Sequence, residues 1–210
     1  MVLFFSSAAH DPAVVIYMGK DKYENEELIK FAWPQDVWFH VDNLSSAHVY
    51  LRMPDGMTWD RIPDPLLVDC AQLVKANSIE GNKKDNITII YTPADNLKKT
   101  GDMAIGQVSF HSDKKTGRPA YIQKRENPIV NRLNKTKVER QVDHEQERQE
   151  RVKRENEIKA AAAAAQIRAE AELAEQRKAD KAARSYDILF TGADEDVPRQ
   201  SVREMEDDFM

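Results

Sequence analysis

Apolar and polar positions alternate with a period of two in two neighbouring segments of this chain. In Asp36 to Asp42, Val37, Phe39 and Val41 fall on one face, with Trp38, His40 and Asp42 on the other. In Ser46 to Arg52, Ala47, Val49 and Leu51 oppose Ser46, His48, Tyr50 and Arg52. Paired as an antiparallel hairpin through Asn43, Leu44 and Ser45, the two strands bury their aliphatic sets together and gather Trp38, His40, His48, Tyr50 and Arg52 on the opposite face. That ring-rich face is either a second core layer in which each histidine is hydrogen-bonded, or a flat cationic surface that stacks on bases, worth roughly 1–3 kcal/mol per base. Solvent exposure of Trp38 and His48 separates the two.

The same patterning predicts the other elements. Val2 to Phe5 and Ala13 to Met18 read as strands joined through the turn formers of Ser6 to Pro12. Asp21 followed by Glu24 matches a capping box, and the helix it opens presents Leu28, Ile29 and Phe31 to a core before Pro34 ends it. Leu66, Leu67, Cys70, Leu73 and Val74 recur at helical spacing within Pro63 to Asn77. Asn86 to Tyr91, Ile105 to Phe110 and Tyr121 to Gln123 read as strands, closing a domain near residue 125. From Asn127 the texture changes: Asn127 can cap, Pro128 can take the first helical position, and no further proline appears until Pro198. A continuous helix from Pro128 to about Arg184 would run roughly 85 Å. Ile129, Leu133, Val138 and Val142 suit a seam, but Val152, Ile158, Ile167 and Leu173 fit no sustained heptad. The pairs Glu147–Arg151, Glu150–Arg154 and Glu155–Lys159 and the alanine tract at 160–165 equally suit a solvated single helix.

The expected architecture is thus α+β. Residues 1–125 form a small mixed sheet with packed helices, 126–185 a long charged helix (coiled coil or single), and 186–210 a disordered acidic tail. A mean hydropathy of -0.67 with 32% charged residues is too polar for one continuous core. The net charge of -5 hides a local reversal: residues 114–137 hold eight Lys/Arg against the single Glu126, whereas the zones on either side are net acidic. The lone Cys70 excludes an intramolecular disulfide and leaves no thiolate cluster for zinc. Val2 to Phe5 is too short for a signal peptide, and no run approaches the apolar length of a membrane span. A soluble, intracellular protein is expected.

Catalytic signatures are sparse. No glycine-rich phosphate loop of the nucleotide-enzyme type is present, and His40 with His48 lacks a third ligand for a metal. Ser45 or Ser46 beside His48 is adjacency, not triad geometry. No cofactor and no enzymatic activity are expected. Phosphate contacts have better candidates: Lys20 and Lys22 flank the capping Asp21, so their ammonium groups and the free amides of the helix start could meet one anion. Lys83 with Lys84 and Lys98 with Lys99 are further basic pairs.

Gly19-Lys20, Asn25, Leu28, Asp36-Val37-Trp38-Phe39-His40 and His48-Val49 resemble the NFACT-R domain of ribosome quality-control proteins. The resemblance continues through Lys75-Ala76-Asn77-Ser78, Ile87 to Thr92, Asn96-Leu97-Lys98-Lys99 and Gly106, and covers about residues 1–125. Where that family has Gly-Ser-His-Val, this chain has Ser46-Ala47-His48-Val49. The resemblance implies a non-enzymatic RNA-binding module associated with tRNA and ribosomes, in the cytoplasm or nucleus. Its implied nucleic-acid surface comprises Lys20, Lys22, Trp38, His40, His48, Lys98 and Lys99; Asp21, Tyr23 and Asn25 at the helix start and Arg52 on the hairpin face complete the candidate nucleic-acid site. Two alternatives stand beside it: a DNA-binding or DNA-sensing receptor role at a membrane through some tethering partner, and a coiled-coil adaptor or homodimer whose helix is the functional part.

Overall fold

The central hairpin forms as the alternation requires. In the computed structural model, which describes residues 1–117 and 120–183, β3 (Asp36–Val41) pairs antiparallel with β4 (Val49–Arg52), setting Trp38 opposite Tyr50 and Val37 opposite Leu51. Asn43 in the connecting loop takes φ 59, a left-handed conformation that asparagine tolerates. Flanking this pair are β1 (Val2–Ser7), β2 (Val14–Gly19), β5 (Ile87–Pro93), β8 (Ala120–Ile122) and β9 (Val138–Arg140). They build one seven-stranded sheet in the order β8-β5-β3-β4-β2-β1-β9, antiparallel throughout.

Both faces of the sheet are covered. On one, Phe5, Ile16, Val37, Phe39, Val49 and Leu51 pack against Leu66, Cys70, Leu73 and Val74 of α2 (Asp64–Ala76) and Leu133 of α3 (Asn127–Lys135). On the other, Val2, Tyr17, Trp38 and Tyr50 meet Leu28 of α1 (Lys22–Phe31), Ala94, and Leu97 of a small separate hairpin. That hairpin pairs β6 (Leu97–Lys98) with β7 (Ser109–Phe110). The strand expected over Ile105 to Phe110 shrinks to its last two residues. Gly106 adopts φ +82 and Ile105 is half-exposed, because residues 99–107 turn back on themselves instead of extending.

The single rod expected from Pro128 is two helices. α3 stops at Lys135, where the Thr136 hydroxyl donates to the Leu133 carbonyl and accepts from the Ser6 amide at 2.9 Å. The chain then extends as β9 against β1, with Leu3 opposite Glu139, before α4 (His144–Ala183) begins under an Asp143 cap that accepts from the Gln146 amide. The backbone thus finds a ladder partner far away in sequence, Val2 against Arg140, which no local periodicity reports. The chain clusters into Met1–Glu150 and a second unit from Arg151 onward, so α3, β9 and the first turns of α4 group with the sheet. Along α4 no residue is buried, and its ion pairs include Arg148–Glu145 and Arg151–Glu155, a different set from the Glu-first pairs read from the sequence. The tail expected to be disordered lies outside the described residues.

Candidate nucleic-acid interface

The start of α1 is built by Asp21. Its carboxylate accepts from the amides of Tyr23 and Glu24, both at 2.9 Å, and these hydrogen bonds, that from Glu24 foremost, hold it below the usual carboxylate range. Its carbonyl accepts the Asn25 amide. The helix start is therefore already occupied by a negative charge of its own, and the anion expected between Lys20 and Lys22 has no free amide cluster to meet. Glu24 completes no capping box either. It accepts from the Met1 ammonium at 2.7 Å and from His144 at 2.8 Å, tying α1 to the first turn of α4. Lys20 pairs with Glu139 of β9 at 2.6 Å, a hydrogen bond that raises its pKa. Asn25 is buried against Gly19, where a Cβ would come within 2.3 Å of its Oδ1.

The ring-rich face is an interior. Trp38, His48 and Tyr50 are 2%, 3% and 0% exposed, so this face is a second core layer and not an open stacking platform. The Trp38 indole N–H, which can only donate, gives a hydrogen bond to His48 Nδ1 at 3.0 Å. His48 must then carry its own proton on Nε2, which donates to the Gly106 carbonyl at 3.0 Å. Burial, reinforced by the neighbouring His40 ring, pushes the His48 pKa down to about 4, so the imidazole is neutral at pH 7. His40 is only partly buried, stacks on Trp38 with centroids 5.3 Å apart, and donates from Nδ1 to its neighbour's carbonyl on Val41. Desolvation lowers its pKa as well. Among the described residues no group of three His, Cys, Asp or Glu side chains is placed to hold a metal ion.

Two more of the predicted cations, beyond Lys20, are committed to structure. Arg52 binds the fully buried Asp36 through Nε at 3.0 Å and stacks 3.7 Å from the Trp33 ring centroid, while Asp36 also accepts from the Tyr17 hydroxyl and the Trp33 amide. Lys99 donates to Glu26 at 2.8 Å and to the carbonyls of Ala104 and Gln107. Glu26 also accepts from the Gly106 amide at 2.5 Å; burial pushes its carboxyl up, but these donors outweigh it and hold the pKa low. The sequence reading missed Glu26, because an acid between lysines on a helix face looks like an ordinary solvated residue. What stays exposed is Lys22, lying 5.2 Å from the Tyr23 ring, Tyr23 itself at 63%, and Lys98, which points outward beside the buried Leu97. Lys22 and Lys98 make no ion pair among the described residues. The described members of the basic band at 114–137 form no single surface. They run from the β8 edge to the β9 edge, and Arg132 pairs with the buried Asp69 at 2.6 Å.

Residues 1–138 match the family model described as NFACT protein RNA binding domain. The chain belongs to this family. Among curated NFACT-R relatives, coiled-coil domain-containing protein 25 of Danio rerio is 60% identical over 151 residues, 72% of each chain. The Bos taurus protein of that name is 51% identical over 192 residues, covering 90% of this chain and 91% of its own. More distantly, the Rqc2 homolog RqcH of Streptococcus pneumoniae is 29% identical over 110 residues, 45% of this chain and 20% of that protein. The solved C-terminal part of the fibronectin/fibrinogen-binding protein from Streptococcus suis superposes with a TM-score of 0.50 at 20% identity, over 64% of this chain and 50% of that one, a likeness of fold alone. The NFACT-R match extends past the boundary read near 125, in keeping with β9. No helix among the described residues is long and apolar enough to cross a membrane.

Proposed function

We propose that this NFACT-R domain binds RNA, of the tRNA or ribosomal class, without catalysing a reaction on it, and that Lys22, Tyr23 and Lys98 are its outermost contacts. The observation that carries the reading is the match of residues 1–138 to a family described by its RNA binding. Lys22 and Lys98 supply cations that no carboxylate among the described residues neutralises, and Tyr23 supplies an exposed ring, the pairing that single-stranded or loop RNA uses for phosphate and base contact. Trp38 and His48 contribute by shaping this surface from beneath, through the bond to Gly106.

The test is the salt dependence of affinity for bulk tRNA in the full chain. Removing one phosphate-binding cation lowers the log-log slope by about 0.7 to 0.9. Lys22→Glu combined with Lys98→Glu is expected to lower it by roughly one and a half and to weaken binding. An unchanged slope and affinity would remove these residues from the interface. Truncation for such work belongs after Glu150, since the sheet needs β9.

A further inference from the structure

The hairpin Leu97–Phe110 stands apart from the seven-stranded sheet, for among the described residues β6 and β7 pair only with each other. Its base is stapled by one side chain. Asn96 Nδ2 donates to Thr92 Oγ1 and to the Ser112 carbonyl, its Oδ1 accepts from the Ser112 amide, and its carbonyl accepts from the His111 amide, each at 2.9 Å. Leu97 is buried, and Phe110 meets Trp38 edge-on at 5.9 Å. The base therefore stays where it is.

The tip, residues 99–107, is held in another way. Its bonds to the rest of the fold are polar and come from two side chains: Glu26, which accepts from the Gly106 amide and the Lys99 ammonium, and His48, which donates to the Gly106 carbonyl. Glu26 and Lys99 remain 27% and 24% exposed, so water competes for both. Ile105 is 50% exposed. Lys99 also gathers the carbonyls of Ala104 and Gln107, so the tip keeps its own shape when it moves. Beneath it lies a stack of rings whose outer member, His40, is already partly open to solvent. One turn along α1 from Glu26 sit Lys22 and Tyr23.

From this arrangement we infer that residues 99–107 are a strap that lifts when single-stranded RNA binds. An acceptor on the RNA then receives the hydrogen bond that His48 Nε2–H gives to the Gly106 carbonyl in the closed form, and a base stacks on His40 over Trp38. The strap makes the buried rings part of the interface, with Glu26 as the latch. It rests on the RNA reading above.

The experiment compares full-length wild type, Glu26→Gln and Glu27→Gln, the last an exposed neighbour that removes the same charge without touching the strap. Hydrogen exchange over residues 99–107 and affinity for a mixed-sequence single-stranded oligoribonucleotide are measured for each. Expected are faster exchange in the strap on adding the oligonucleotide to wild type, and affinity about tenfold tighter in Glu26→Gln than in Glu27→Gln, since the latch no longer opposes opening. Slower or unchanged exchange with bound oligonucleotide, or equal affinities in the two variants, overturns the strap while leaving RNA binding intact. Failure of all three proteins to bind the oligonucleotide or tRNA overturns the RNA reading itself.

Discussion

Acidification should destabilise this domain through His48 in a pH window where carboxylates contribute little. The unfolded imidazole titrates near 6.5, the folded one at about 4, because burial penalises its charged form and His40 adds to the penalty. Between those values the unfolded chain binds one more proton than the folded chain, so stability rises with pH by up to about 1.4 kcal/mol per pH unit. The contribution is complete above about pH 6.5 and is lost as pH falls toward 4; the full span is worth roughly 3 kcal/mol. Glu26 and Lys99 also face this ring, with opposite effects, Glu26 raising its pKa and Lys99 lowering it. His48→Gln is the matched control, since an amide can accept from Trp38 and donate to Gly106 yet does not titrate. Urea unfolding followed by circular dichroism, at half-unit steps from pH 7.5 to 4.5, gives both curves. Wild type should lose about 2 to 3 kcal/mol more than His48→Gln across that range. His40, which titrates in the same direction, supplies a smaller slope common to both. Parallel curves for the two proteins would refute the assignment of a neutral, buried His48.

Two further substitutions probe what surrounds this layer. Asp36→Ala strands the Arg52 guanidinium and removes the acceptor for the Tyr17 hydroxyl and the Trp33 amide; it should cost about 3 to 5 kcal/mol in urea unfolding. Gly19→Ala places a Cβ 2.3 Å from Asn25 Oδ1 and 2.9 Å from its backbone nitrogen, so α1 must shift; a loss of about 1 to 3 kcal/mol is expected, visible as a lower urea midpoint. A Gly19→Ala protein as stable as wild type would show that α1 does not press on this turn.

Much of the sheet could be read from residues alone because period-two patterning is local. Val37, Phe39 and Val41 against Trp38 and His40 fixed both the hairpin and the sharing of a face, and Asp21 marked the start of α1. Alternation says which side chains share a face but not what lies over it. The cover on Trp38 and His48 comes from α1 and from a hairpin some sixty residues later, joined through Glu26, whose role no spacing betrays. Charge in sequence misled for a related reason. Lys20, Arg52 and Lys99 look like free cations, yet each meets a carboxylate brought near only by folding. The break after Lys135 was invisible because Thr136, Lys137 and Val138 include neither glycine nor proline, and helix propensity loses there to strand pairing with β1.

The place of β9 bears on how the chain folds as it is made. β1 is synthesised well before its partner, and its outer edge stays an unpaired ladder until residues 138–140 have been added. In the interval Val2–Phe5 offers open amides and carbonyls on a hydrophobic strand, the form of edge most prone to join another chain. The long-range closure also slows folding relative to a sheet completed by neighbours. A nascent chain halted short of residue 138 would hold its β1–β2 hairpin with one side bare, a species for chaperones to shield rather than a finished domain.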